Sequence, residues 1–481
     1  YKRQLYCSVQ RCNSALRVLN AATDEQVNGR VSRIAEMKVL RAHYYFELSR
    51  LFNKIPYFDE NVEISQYPDI PNNEFTRDEI LSMLAKEMLD AAEQLPASQP
   101  EVGRIHKYIA LAYAAKIKLY QAYQQDEITH AVTSINKELL REVVSLCDQV
   151  TASNRYGLLD DFQGLDLVTN ENGKESVFAI QYSMNDGTES AGRINWSNLL
   201  NSPGGGSPYG GDGFFLPSQD LINAYQTDAN GLPDFNYQSK SDYSWAVLNN
   251  GVYTLQNTTP NVDPRLDFVV GRPTITWKTY PDKPCEGWVR DKDTYGYNCA
   301  KRFWVSPESS DMFNGWPWGA SQLNWQIIRY ADILLWKAEA LIELNEGNGL
   351  ETARDLINQI RNRARNSAYV KDFNDHSKYA ANYLVNPYPA DVWNQDYARQ
   401  ALRWETRLEK ALEGERFFDL VRWGIVETTM NNYITAESDN RIYYANAHFT
   451  GGKDEYYPVP NNQYGFSGGK YVQNPGYAPF N

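Results

Sequence analysis

The chain has 481 residues, of which 42% are hydrophobic and 22% charged, and its net charge is −13. That is apolar material enough for a large core, and it excludes a disordered polymer. The negative balance and the lack of any basic run argue against a nucleic-acid partner, and no stretch approaches the roughly 18 apolar residues that span a bilayer.

The sequence begins at Tyr1, without Met and without a basic-then-apolar leader. Any signal or lipid-anchor segment would therefore lie ahead of Tyr1, and its absence says nothing about localisation. Residues 31–52 read as a helix. "FTRDEILSMLAKEMLDAAEQL" (75–95) is a second, with Thr76 as N-cap and Glu79 completing a capping box. "IALAYAAKIKLYQAY" (109–123) and "NKELLREVVSLCDQV" (136–150) form a further helical pair.

From about 151 to 320 the pattern changes to Gly, Pro, Asn, Ser, Tyr and Trp, and "NSPGGGSPYGGDG" (201–213) cannot be a regular element. "SVFAIQYS" (176–183) is a strand-like exception. The chain holds 12 Trp, none before Trp196, and six of them fall between Trp277 and Trp325. Trp316 and Trp318 lie among turn formers with no period. An aromatic face carries negative quadrupole charge and matches the weakly positive C–H face of a sugar. These rings therefore read either as sugar-stacking platforms or as plugs that pack loops onto a frame.

Helical period returns at 327–345, where Ile328, Ala331, Leu335, Ala338 and Ile342 repeat at steps of three and four. "NEGNG" breaks it, and Ala353, Leu356, Ile357, Ile360 and Ala364 mark the next helix. The two make a hairpin of tetratricopeptide type. In "ETRLEKALEGERFFDLVRWG" (405–424), Glu409, Glu413, Arg416, Asp419 and Arg422 read as i,i+3 and i,i+4 pairs locking two helices around Gly414, rather than as an acid/base pair. Past 425 the loop-like mixture resumes.

The five cysteines form no CxxC and no zinc spacing with the five histidines, so no metal and no cofactor is expected. Acids are plentiful, but no EF-hand loop occurs. Glu286, Asp291, Asp293, Glu308 and Asp311 near the aromatic span leave a helical glycoside hydrolase or lyase as one alternative.

Several stretches in order resemble the SusD/RagB-like family of Bacteroidetes: "RAHYYFELSRLFNKIPYF" (41–58), "NRYGLLDDF" (154–162), "ESVFAIQYS" (175–183), "FLPSQDLINAY" (215–225), "DPRLDFVV" (263–270), "IIRYADILLWKAEALIELNEG" (327–347), "INQIRNRA" (357–364), "RWETRLEKALEGERFFDLVRWG" (403–424) and "EYYPVPNNQ…YVQNPGY" (455–477). The resemblance implies a mainly α, SusD-like fold over 1–481. Helical hairpins at 1–150 and 320–425 would form the scaffold. Loop-rich segments at 151–319 and 426–481, with a few short strands, would pack on the ligand side. It implies a non-enzymatic lipoprotein on the outer face of the outer membrane. Such a protein binds oligosaccharide or polysaccharide, or in some members peptide, and passes it to a TonB-dependent SusC-like barrel. Only the lipid anchor would meet the membrane. The expected glycan contacts are Trp316, Trp318, Trp288 and Tyr295, with Tyr67 from the loop after the first signature helix. Export through an oxidising compartment would permit a Cys285–Cys299 disulfide closing "EGWVRDKDTYGYN"; two free buried thiols are the other reading.

Overall fold

The computed structural model describes residues 2–188, 192–196, 198, 200–202, 204, 206–278, 285, 287–315 and 319–480. Five helices open the chain: α1 (Lys2–Ala21), α2 (Arg30–Phe52), α3 (Arg77–Gln94), α4 (Lys107–Ala122) and α5 (Lys137–Ala152), each packed against the next. Thr76 Oγ1 accepts from Glu79 N at 3.2 Å and Glu79 Oε2 accepts from Thr76 N at 2.8 Å, so the capping box starts α3 where the sequence places it. Alanines on α4 (Ala110, Ala112, Ala114, Ala115) are wholly buried. α4 lies between α3 and α5 and is buried on nearly every side, which is why its sequence is mostly apolar and its mid-helix lysines are paired, Lys116 with Glu415 at 3.1 Å and Lys118 with Glu142 at 2.7 Å.

The stack continues across the gap in sequence. α6 (Tyr330–Leu344) packs on α5 and on α7 (Gly349–Asn366), and α8 (Gln395–Glu409) closes over α6. Asn345, in a left-handed conformation (φ 51°), ends α6 at the "NEGNG" break. One expectation shifts here. Ile327 and Ile328 are not helical: Trp325–Arg329 is a strand, antiparallel to Ser176–Ile180, with Ile328 opposite Phe178. The Asp332 carboxylate accepts from Arg329 N at 2.7 Å and starts the helix only afterwards. Among the described residues every sheet has two strands. The segment past 425 also differs from expectation, because it opens with a 12-residue helix, α10 (Val426–Glu437), after the short α9 (Arg416–Arg422).

The charged signature at 405–424 is structural, but not through the helical spacing expected. Glu409 pairs with Arg329 (3.0 Å), Arg363 (2.5 Å) and Arg265 (3.2 Å), and Glu413 with Arg329 (2.7 Å) and Arg302 (3.4 Å). Glu175 adds bonds to Arg329 (2.7 Å) and Arg363 (3.2 Å), and Glu405 to Arg265 (2.6 Å) and Arg361 (3.0 Å). All these side chains are buried. Only Lys410–Glu413 and Asp419–Arg422 keep the i,i+3 spacing; Arg416 instead donates to the Arg403 carbonyl. The pairs are long-range because Glu409 and Glu413 face inward, toward the strand pair and α7. Burial opposes ionisation of Glu409, but Arg363, Arg329 and Arg265 outweigh it and hold its pKa down to about 2.

Removing one partner from such a cluster leaves buried charge uncompensated. Arg329→Met is expected to lower unfolding free energy by about 3–5 kcal/mol. Leu335→Ala, which empties a position in the helical core, should cost about 2–5 kcal/mol. Urea titration followed by far-UV circular dichroism measures both.

Candidate functional site

The tryptophans of the middle segment form a core of their own. Trp277, Trp288 and Trp304 are buried around Tyr209, with Cys285 and Cys299 beside them. Trp277 Nε1 donates to Tyr209 Oη at 2.9 Å, and that hydroxyl donates to the Val305 carbonyl at 2.7 Å. Trp288 meets Trp277 edge-on at 4.9 Å between centroids. Gly271 lies under the Trp277 ring, where a Cβ would collide with it. Trp288 is 3% exposed, so neither face is open to a sugar, and the expectation that it stacks ligand is corrected: it is a packing residue. Trp325 is half-buried, 4.6 Å from Phe303. Trp316, Trp318 and Glu286 lie outside the described residues.

Cys285 and Cys299 are both buried and free, with their sulfurs neighbouring. Cys299 pairs with Gly271 across a two-stranded ladder, and Cys285 Sγ lies over that same glycine. Burial, and then the adjacent Cys285, push the Cys299 thiol well up.

Tyr295 is at the surface. It ends a one-turn helix (Lys292–Tyr295) capped by Asp291, whose carboxylate accepts from Thr294 N at 3.0 Å. Its ring is 42% exposed and lies 6.0 Å from that of Tyr443, which is 49% exposed. Tyr443 in turn leans on Tyr444 at 4.6 Å. Beneath them runs Arg441, a buried side chain. Its guanidinium donates to the Tyr295 carbonyl and, at 2.9 Å, to the Pro217 carbonyl, and it lies 3.6 Å from Glu437. One arginine thus ties three segments together. Phe214, 72% exposed, stands three residues before Pro217, and Ile442 projects beside Tyr443. The outcome is an open aromatic surface on loops, fixed from below.

Tyr443 escaped the sequence reading. The signal was available in "NRIYYANA" (440–447), two rings and an isoleucine among polar residues with no helical or strand period.

Tyr67 occupies another place. It stacks on Phe58 at 3.9 Å, its hydroxyl accepts from Arg17 at 3.3 Å, and it lines a groove of about 520 Å³ with Tyr6, Phe466, Tyr471 and Gln463. None of the groove's walls comes from 285–300, so the structure does not bring Tyr67 to Tyr295.

The sequence profile of the SusD family matches residues 174–477, more than half of the chain. The chain belongs to the SusD family. A SusD-like protein of Bacteroides ovatus is 22% identical over 439 residues, covering 87% of this chain and 64% of that protein's length. The chain thus spans less than two thirds of that relative. Among solved structures, a SusD-like carbohydrate binding protein from Bacteroides fragilis superposes with a TM-score of 0.69 at 20% identity, covering 95% of this chain and 83% of that one. Surface glycan-binding protein A from Bacteroides uniformis superposes with a TM-score of 0.62 at 19% identity, covering 98% and 83%. This SusD-family chain therefore shares the helical fold of those proteins, as its helical periodicity predicts.

Glu437, behind the aromatic surface, faces Arg441 from the turn that follows its helix and Asp220 and Asp242 from the segments packed on it. Burial raises its pKa to about 7, against the opposing pull of the Asp220 N–H and Arg441. A carboxyl raised on folding favours the folded state below its unfolded pKa, and that contribution is lost as pH rises through the folded value. Melting temperatures of wild type and Glu437→Gln should therefore diverge in the variant's favour between about pH 5 and about pH 8. A difference that stays flat over that range would place the proton elsewhere.

Proposed function

We propose that this protein captures oligosaccharide at the cell surface and passes it to a TonB-dependent outer-membrane barrel, and that an N-terminal lipid holds it at the outer face of the outer membrane. Family membership supports the glycan class, as do the names of its structural neighbours. The observation that carries the reading is the Tyr295–Tyr443 pair, two open rings 6.0 Å apart fixed by Arg441. Each stacked sugar gains about 1 kcal/mol beyond burial, and two or three stacks with hydrogen bonds give roughly 4 to 8 kcal/mol, millimolar to micromolar affinity. Such affinity suits a carrier that must release its cargo.

A binding role rather than catalysis fits the acids near the aromatic span. Asp291 is spent on a helix cap, Asp311 accepts from Gln322 at 2.7 Å, and Asp293 and Glu308 face solvent. Trp316 and Trp318 remain proposed glycan contacts. Tyr67 is proposed to serve a second subsite, on the strength of its aromatic groove of about 520 Å³.

Affinity electrophoresis against a polysaccharide panel tests the reading. Tyr295→Ala and Tyr443→Ala should each weaken retention at least about tenfold with unchanged melting, the loss of roughly 1.4 kcal/mol. Trp288→Ala should instead destabilise by about 3–5 kcal/mol. Unchanged retention in both tyrosine variants would move the site, and loss in Tyr67→Ala alone would place it in the groove.

The same reading includes a Cys285–Cys299 disulfide formed outside the cytoplasm, the two electrons and two protons passing to a disulfide oxidant there. Closing a loop of about 15 residues removes roughly 3 kcal/mol of unfolded-chain entropy. Mass spectrometry of a non-reduced digest should find the two cysteines in one linked peptide pair; separate free-thiol peptides would remove the bridge.

A further inference from the structure

A second cavity, about 510 Å³, lies between the loop 159–170 and the segment 301–306. Its walls include Phe162, Phe268 and Trp304, and its floor is crowded with cations. Asp166 there is held by Lys278 at 2.6 Å and by Arg302 at 3.1 Å, and accepts from Phe303 N at 3.2 Å. Burial opposes its ionisation, but Lys278 and Arg302 outweigh it and keep its pKa below the usual carboxylate range. The other carboxylate near Arg302, Glu413, is shared with Arg329 and Lys410.

Among the described residues Lys301 has no such partner. It is 1% exposed, and among those residues its ammonium donates only to two backbone carbonyls, those of Asp267 (2.7 Å) and Thr276 (3.0 Å). The Asp267 carboxylate is committed elsewhere, to Arg272 at 2.7 and 2.8 Å and to Tyr383 Oη at 2.5 Å. Among the described residues, Lys278 and Arg302 thus share Asp166, and Lys301 has no carboxylate of its own. A buried ammonium held by neutral oxygens alone is a costly arrangement, and an anion arriving in the cavity relieves it. At the rim, Asp160 is neutralised by Lys174 at 2.8 Å, and Asp161 is turned to the N–H groups of Gln163 (2.8 Å) and Ala368 (3.1 Å). Neither closes the cavity to an anion.

We propose that this cavity binds an oxyanion, the carboxylate or sulfate of an acidic saccharide, with Lys301 and Lys278 as its charge partners. The saccharide part rests on the glycan reading above; the anion part does not. The groups facing Lys301 are Asp267, Lys278, Arg272 and Cys285, and burial, with Lys278 adding to it, pushes its pKa down to about 7. Anion binding requires the charged ammonium, so affinity falls as pH rises through that value.

The probes are sodium sulfate, trigalacturonic acid and its methyl ester, measured by isothermal titration calorimetry at about pH 6 and about pH 8. Expected are sulfate and trigalacturonate binding at the lower pH, each weakened at least about tenfold at the higher pH and in Lys301→Met. The ester should be indifferent to both changes. Lys278→Met serves the same purpose should Lys301→Met fail to fold. Equal binding of acid and ester, with sulfate neither binding nor competing, overturns the proposal. Sulfate binding that Lys301→Met abolishes, with no saccharide bound at all, keeps the anion cavity and fails the glycan reading instead.

Discussion

Arg329 is where the fold is joined. Its guanidinium meets Glu175, Glu409 and Glu413, three carboxylates from two parts of the chain, all out of water. Taking these charges out of water costs several kcal/mol per ion, and only complete pairing offsets it. That is why Arg265, Arg361 and Arg363 are present as well, each on a carboxylate of α8 or its approach. A hydrophobic plug of similar volume could hold the same elements together. It would not dictate which strand lies over which helix, whereas paired charges accept one arrangement. The strand pair, with Arg329 at the end of one strand and Glu175 just before the other, is thereby set against α7 and α8, and the loop segments hang from that junction.

Apolar burial does the rest, divided, among the described residues, between three cores. The largest runs through the helical stack. A second gathers Phe162, Tyr225, Leu266 and Val270 under the loop segments. The third is the tryptophan cluster around Tyr209. Long loops have little regular hydrogen bonding to stiffen them, and a few large rings bury much area for few residues. The crowding of tryptophan into 277–325 is in good part the way an irregular segment obtains a core. The surface aromatics, Phe214, Tyr295 and Tyr443, sit outside that core, and Arg441 ties the Tyr295 and Pro217 backbones together beneath them.

The helices were legible because period and caps are local. Thr76 and Glu79 mark the start of α3, and the alanine-rich run of α4 announces a helix buried on nearly every side. The Ser176–Ile180 and Trp325–Arg329 pairing was not legible, since some 150 residues separate the two strands and Ile327–Ile328 extends a helical pattern by coincidence. Nor could sequence tell Trp288 from Tyr295: both lie in one aperiodic stretch, and which ring faces water is decided by Tyr209, Gly271 and Arg441, far away in the chain. The charged signature shows both sides of this. Its structural role could be read from residue types, but its partners could not, because Glu409 and Glu413 reach across the fold to Arg265, Arg302 and Arg329.

The spread of that ion cluster has a consequence for how the chain can be divided. Its members run from Glu175 to Glu413, so any cut between those two positions separates a buried arginine from a buried carboxylate. A fragment carrying Arg265 and Arg329 without α8 would hold guanidinium groups in a low-dielectric site with nothing to answer them. The stacked helices suggest a modular array that could be shortened by a repeat, as solenoids allow. Beyond α5 the cluster forbids it: from residue 175 to residue 413 the chain is one electrostatic unit, and that stretch can be exchanged or inherited only whole.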